Sequence, residues 1–372
     1  DPATVLAKAL GVNSRWSPPL GVDEVETIVK SIGARDAVRG QRQTSTGTTL
    51  RAEPMPDDAP PPSLAAMAYQ QADDAIALGK VDHSQAPRWS WADLDAMLGP
   101  MLPGDLIIVG ALTGNGKTAY LTSQAQAWAD AGKTVLYIPL ELDPQLVRRQ
   151  WAAWRCRLDW THVARNEWHC LPEGSQRRHE DAIAAQLQEG RIHLPPDRRV
   201  SLLKLAAWVE RAVKEVGADI VIVDHFHRMD FGGASANYRV QVTEAARGLK
   251  DLGRTHRIPI VAAAQLNQDP SPIDRYCPPV LKRLKESAGL SEEADDVLML
   301  SRRLRSQPDA ELLAGFRSGH IEIRDYEERN VMVVTCRKKR LDDNARDRSV
   351  RLSVQGGRVE NLAPEWRPVR DP

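Results

Sequence analysis

Residues 110–120 read GALTGNGKTAY. The eight positions from Ala111 to Thr118 follow the pattern G-x-x-x-x-G-K-[ST], with Ala in the first place and Gly110 just before it. Such a run holds a phosphate when a strand leads into it and a helix leaves it. LIIV at 106–109 is a short apolar β-type run, and AYLTSQAQAWA at 119–129 is rich in helix formers. Gly114 and Gly116 let backbone N–H groups turn inward, and a helix opening at Lys117 turns its positive end to the anion. Lys117 is expected to reach the β- and γ-phosphates of ATP and the Thr118 hydroxyl to ligate Mg²⁺. Ala111, Thr113, Asn115 and the two glycines complete the cradle. The alternative is a plain glycine-rich turn between a strand and a helix.

The alternation of strand and helix continues outward from this loop. TVLYIPL (134–140), DIVIV (219–223), IPIVAAA (258–264), VLML (297–300) and VMVVT (331–335) are continuous apolar runs. Helical patterns stand between them at 202–217 and 242–255. Runs of this kind are strands buried on both faces, so the class is α/β, with a mostly parallel, helix-flanked sheet. Ligands in such sheets bind outside the carboxyl ends of the strands. Glu141 follows the second run, Asp224 the third and Gln265 the fourth, so Lys117, Glu141, Asp224 and Gln265 are expected to share one crevice. Asp224 suits a Mg²⁺ ligand, Glu141 a general base for the attacking water, and Gln265 a sensor of the γ-phosphate. VMVVT runs into Arg337, Lys338, Lys339 and Arg340. Lys338 and Arg340 are expected to stabilise transition-state charge in trans, in a neighbouring copy's site. Beside these roles stand a helix-capping Asp224, a surface Glu141, a solvated strand end at Gln265 and a solvated basic edge at 337–340.

Composition narrows the classes without choosing among them. The 372 residues carry 50 Lys+Arg against 50 Asp+Glu, so nucleic-acid binding must come from local patches and not from a global basic field. Four cysteines without a CxxC pair give no disulfide framework, and His162, His169 and Cys170 match no zinc spacing pattern. No apolar run reaches the roughly 18 residues of a membrane span, and the first residues do not read as a signal peptide. A cytoplasmic location is expected. A chain that opens on Asp1 is expected to be part of a longer protein.

The organisation read from the sequence is a small helical segment at 1–40, a Thr-, Pro- and Asp-rich linker at 41–63 and a linker-helix region at 64–88. The main domain follows at 89–356, and an irregular tail at 357–372. The amphipathic helix at 63–80 is either a docking helix or a spacer.

From Trp89 to about Val354 the chain resembles the motor domain of hexameric replicative DNA helicases of the DnaB type. WADLDAMLGPMLPGDLIIVGALTGNGKTAY, YIPLELDPQLVRR, DIVIVDHFHRM, IPIVAAAQLNQ, LKESAGLSEEADDVLML and CRKKR match the family's segments in order. The resemblance implies a RecA-like P-loop NTPase core. It gives Glu141 the catalytic glutamate's place, Arg148 that of an arginine beside the nucleotide, and Asp224 that of the Walker B aspartate. Gln265 falls on the γ-phosphate-sensing glutamine, and Lys338 and Arg340 on the K-x-R of an inter-subunit finger. The family usually has Tyr at His225 and Gln at His227. Its R-E-S-G stands here as Lys285, Glu286, Ser287 and Ala288, with Gly289 one place later. Residues 18–36 resemble the short segment that ends many phage and plasmid primase–polymerases, which implies the helicase end of a primase–helicase.

The expected partner is single-stranded DNA, held by a ring of about six copies. The stretch Asn267–Leu290 reads as a long irregular loop at the base of which Gln265 lies. Its Arg275, Lys282, Arg283, Lys285 and Glu286 are the candidate DNA contacts, with Arg239 in a second loop at 231–239. Ordinary solvated loops are the alternative. Trp151, Trp154 and Trp160, at roughly helical spacing, read as core residues, with base stacking as the alternative. Two other functions share the core: a RecA- or KaiC-type DNA-dependent ATPase, and a nucleotide-binding replisome scaffold that does not hydrolyse.

Overall fold

A computed structural model of the chain describes residues 83–196, 199–231, 238–266, 276–305, 310–318, 320–328, 330–355 and 358–362. The segments expected at 1–40 and 41–63 and the helix expected at 63–80 lie outside these residues, as does Arg275. Among the described residues no helix is long and apolar enough to cross a membrane.

The apolar runs become the strands β1 (Leu106–Ala111), β2 (Val135–Pro139), β4 (Ile220–Asp224), β5 (Ile260–Gln265), β6 (Asp296–Ser301) and β7 (Val331–Lys339). Three more were not legible as strands: β3 (Ile192–His193), β8 (Ser349–Gln355) and β9 (Arg358–Asn361). Together they form a nine-stranded sheet in the order β3-β2-β4-β5-β1-β6-β7-β8-β9. From β3 to β6 neighbours run parallel, and from β6 to β9 they run antiparallel.

The helices follow the 3.6-residue pattern. They are α1 (Ala92–Leu98), α2 (Lys117–Asp130), α3 (Pro144–Arg155), α4 (Trp160–Ala164), α5 (Ser175–Glu189), α6 (Leu202–Val216), α7 (Tyr238–His256), α8 (Ala288–Glu293) and α9 (Ala310–Ser318). Side-chain alternation in the strands splits the core in two. Ile107 and Val109 face Trp128, Trp151, Tyr120 and Tyr137. Leu106 and Ile108 face Leu205, Val209 and Leu249 of α6 and α7. Trp151 is fully buried, donates from Nε1 to Thr122 O at 2.7 Å and meets Tyr137 edge-on at 5.5 Å. The tryptophans at 151 and 154 are core, as their spacing implies, whereas Trp160 is half-buried against the small cluster of Ala153, Leu158 and Val163.

Three expectations are corrected. The tail expected to be irregular pairs as β9 along β8, with Val354 opposite Val359 and Gln355 opposite Arg358. The pair Gly356-Gly357 between them is a hairpin signal, and Val359 is buried. The loop expected up to Leu290 is a 3₁₀ helix over Leu281–Ser287, kinked at Leu284, and then α8. Leu284 and Leu290 anchor both in the core. Gly289 lies so close to Thr243 of α7 that a side chain there would collide with it. The loop expected over 231–239 ends earlier, because Tyr238 and Arg239 already belong to α7.

Candidate nucleotide site

The carboxyl ends of β1, β5, β4 and β2 bring four predicted residues to one rim of the sheet. The loop after β1 turns through Gly114 at φ 82° and Gly116 at φ 89°. Both lie in the left-handed region that glycine enters without strain. A Cβ at Gly116 would lie 2.7 Å from Met332 Cε, so the end of that side chain would have to shift to admit one. α2 then begins at Lys117, which donates from Nζ to Ala111 O at 3.3 Å. Burial lowers the pKa of Lys117, while the nearby charges of Asp224 and Glu141 raise it.

Asp224 ends β4 and is 2 % exposed. Its Oδ2 accepts from Tyr137 Oη at 2.7 Å, and Tyr137 stands in the register of β2 against β4. Burial raises the pKa of Asp224, and the hydroxyls of Tyr137 and Thr118 oppose the rise. Oδ1 is buried with no hydrogen-bond partner among the described residues. An orphaned carboxylate oxygen beside a threonine hydroxyl is the donor set that a hard divalent cation such as Mg²⁺ satisfies. Thr118 and Asp224 therefore fit the ion.

Glu141 follows β2, and its Oε2 lies 3.1 Å from His225 Nδ1. The His225 side chain is 5 % exposed and that of Glu141 46 %, so a buried ring steers an open carboxylate. Burial lowers the pKa of His225, while the charges of Glu141 and Asp224 raise it; the carboxylate can only accept, so Nδ1–H donates. Gln265 ends β5 opposite Ala111 and donates from Nε2 to Thr113 Oγ1 at 3.0 Å. Its backbone N–H meets His227 Nδ1 at 3.3 Å, and burial holds the pKa of His227 down at about 4. Gln265 thus bridges the phosphate loop and the segment after Asp224. Tyr137, His225 and His227 were not read as site residues. A tyrosine inside a buried strand was a usable signal, since its hydroxyl needs a partner.

Arg148 stands on α3, beyond the Asp143 cap that accepts from Gln145 N at 2.8 Å. It lines a cleft of about 150 Å³ with Asp143, Pro144, Gln145, Leu194 and Pro196. No contact joins it to Lys117 or Thr118 among the described residues.

Lys338 and Arg340 lie at the other rim. β7 is antiparallel to β6, so its carboxyl end meets the start of β6, where Asp296 faces Lys339. Asp296 in turn faces Ile107, four positions before Ala111 on β1, so about 13 Å of strand separates that level from the loop. Lys338 Nζ donates to the carbonyls of Ser291 (2.8 Å), Glu292 (3.1 Å) and Ala294 (2.6 Å). Arg340 Nη1 pairs with Asp295 Oδ1 at 3.0 Å. Neither residue shares the crevice of its own chain. Of the predicted DNA contacts, Lys282 and Arg239 are exposed and Arg283 is half-buried. The side chains of Lys285 and Glu286 lie outside the description. Arg337 donates to Pro279 O at 2.8 Å and Pro278 O at 2.9 Å, tying β7 to the segment before Lys282.

Comparison with known proteins follows the same lines. The chain is 24% identical over 283 residues to the replicative DNA helicase DnaB of Pasteurella multocida, covering 75% of this chain and 56% of that protein. Against the Haemophilus influenzae DnaB it is 25% identical over 284 residues, covering 76% and 56%. The chain spans about half the length of the curated relatives it matches. Among solved structures, the ATPase domain of G40P superposes with a TM-score of 0.63 at 18% identity, over 81% of this chain and all of that one. A DnaB-like replicative helicase described with its interactions with primase gives 0.61 at 16% identity, over 92% and 78%. These likenesses give the fold, a RecA-like ATPase core. Residues 89–342 match the profile of the DnaB-like helicase C terminal domain, and the chain belongs to that family.

Proposed function

We propose that this chain is the motor of a replicative DNA helicase, which hydrolyses ATP at the interfaces of a ring and so moves along single-stranded DNA and unwinds duplex. The carrying observation is the split of polar groups between two rims. Lys117, Thr118, Asp224, Glu141 and Gln265 gather at one, while Lys338 and Arg340 stand at the other. Among the described residues the Lys338 and Arg340 pair stands away from its own crevice, which leaves it to be offered to a neighbour.

In this reading Gly114, Asn115, Gly116 and the start of α2 cradle the phosphates, and Lys117 neutralises the β- and γ-oxygens. Mg²⁺, held by Thr118 and Asp224, supplies charge neutralisation of the phosphates. Glu141, held by His225, takes a proton from water as its oxygen bonds to the γ-phosphorus. The bond from that phosphorus to the β–γ bridging oxygen breaks, releasing ADP and phosphate. Arg340 of the neighbouring copy, with its Lys338, meets the charge that builds on the γ-phosphoryl. Arg148 serves the nucleotide from α3. Gln265 reports the γ-phosphate to the segment carrying Arg275, Lys282, Arg283, Lys285 and Glu286, which with Arg239 grips the DNA backbone. The resemblance of residues 18–36 to the end of a primase–polymerase supports a link to priming, and the reading places this work in the cytoplasm.

The test is steady-state ATP hydrolysis with and without single-stranded oligonucleotide, alongside the assembly state by mass. Stimulation of at least about tenfold with a ring of about six copies is expected, a lowering of the barrier by about 1.4 kcal/mol. Hydrolysis indifferent to DNA, or no hydrolysis, overturns the reading.

A further inference from the structure

The insertion between α3 and α5 carries side chains that the nucleotide chemistry does not use. His162 lies in α4, and the chain then reverses at Asn166, a left-handed residue at φ 57°. Glu167 N donates to His162 O at 2.9 Å, and Cys170 N donates to Glu167 O at 3.0 Å. From α3, Arg149 Nη2 donates to Asn166 Oδ1 at 2.7 Å and Val163 O at 2.9 Å. Beneath the turn Ala153, Leu158 and Val163 are buried, with Trp160, Trp168 and Leu171 packed on them. Backbone and core therefore fix the turn without help from the side chains of His162, Glu167 and Cys170.

Those three side chains nevertheless converge. A ring nitrogen of His162, a carboxylate oxygen of Glu167 and Sγ of Cys170 all lie within 4.8 Å of one another. His162 Nδ1 and Glu167 Oε2 are 2.8 Å apart. Tetrahedral Zn²⁺ with bonds of about 2.0–2.3 Å sets neighbouring N, O and S ligands about 3.4–3.6 Å apart. Opening the His–Glu pair by about half an ångström and drawing in the exposed thiol meets that spacing. A mixed N, O and S set suits Zn²⁺, whereas Mg²⁺ and Ca²⁺ take oxygen. Sequence spacing hid the set because its third member is Glu167 and not His169.

We propose that His162, Glu167 and Cys170 bind one Zn²⁺ per chain, with solvent as the fourth ligand. Binding forms a Zn–S bond as the Cys170 thiol gives its proton to the buffer. The ion staples the insertion, and the site does not depend on the helicase reading.

The test uses the untagged 372-residue chain, stripped with a chelator and titrated with Co²⁺ and then Zn²⁺. A near-ultraviolet thiolate-to-Co²⁺ band is expected, saturating near one ion per chain. Zn²⁺ should displace it with Kd at or below about 10 μM, and Cys170→Ser should remove the band. Both Cys170→Ser and His162→Ala should weaken Zn²⁺ at least about tenfold, or 1.4 kcal/mol. Cys277→Ser, an exposed thiol elsewhere, should bind as the parent does. Far-ultraviolet circular dichroism confirms that each variant is folded. A parent chain without the band, a Kd above that limit, or a folded Cys170→Ser that loses less than tenfold overturns the site.

Discussion

His225 Nδ1 lies 3.1 Å from Glu141 Oε2, so the residue after β4 holds the second residue after β2. A hydrogen bond to a charged group contributes about 1.5–3 kcal/mol. His225→Phe should therefore lower kcat for ATP hydrolysis about ten- to a hundredfold while KM for ATP stays put. His225→Gln, which keeps a donor, should recover part of the loss. A His225→Phe enzyme with the parent kcat would show that Glu141 needs no such support.

Tyr137 Oη donates to the buried Asp224 carboxylate at 2.7 Å. Tyr137→Phe removes only that hydroxyl and leaves a second carboxylate oxygen unsatisfied. Urea unfolding should show a loss of about 1–3 kcal/mol. An unchanged midpoint would mean the carboxylate finds another donor.

Gly116 meets two independent constraints, its φ of 89° and the approach of Met332 Cε. Gly116→Ala should weaken ATP binding about five- to thirtyfold, through strain of about 1–2 kcal/mol. Adding Met332→Ala relieves the contact and leaves the backbone strained, so it should restore only part of the affinity. Full restoration, measured by calorimetry, would assign the whole effect to packing.

Lys117→Ala and Arg340→Ala should each abolish hydrolysis, Arg340→Ala with ATP affinity within about threefold of the parent, a change under 1 kcal/mol. If Arg340 serves a neighbour's site, mixing the two inactive proteins creates interfaces with an intact crevice and an intact finger. Partial activity should then return. A mixture as inert as its components, despite demonstrated co-assembly, would place Arg340 outside the chemistry.

Asp105 accepts from Leu102 N at 2.7 Å, and its pKa is pushed up to about 6 by burial, then by Asp295 and Asp296, against Leu102 N–H and Lys250. A carboxyl whose folded pKa is raised binds more protons folded than unfolded. Stability should therefore fall as pH rises from about 4 to about 6. Asp105→Asn keeps an acceptor and removes the charge. It should equal the parent below pH 4 and exceed it by about 1–3 kcal/mol at pH 8, measured by urea unfolding. Parallel pH curves for the two proteins would refute this origin.

The sequence was most readable where one local rule acted alone. The phosphate loop, the buried parallel strands and the crevice of Lys117, Glu141, Asp224 and Gln265 follow from apolar runs that end in polar residues. Ile192–His193 was too short to show a period, and Ser349–Gln355 mixes polar and apolar residues on a half-covered edge. The helical character of 281–293 was masked by the prolines before it. Links across the sheet, such as His225 to Glu141 and Glu167 to His162 and Cys170, depend on register and on a turn, which composition does not carry.

Asp295 is where the rear of the sheet is tied together. Its carboxylate accepts from Leu106 N at 2.8 Å, from Lys250 of α7 and from Arg340 at 3.0 Å, and its backbone bonds Leu106 and Arg340 again. In mechanical terms β1 is a strut clamped at its foot, with the phosphate loop at its head. A tug on Arg340 reaches Leu106 through a single side chain, so load taken up at one rim of the subunit arrives at the other along a strand paired on both sides.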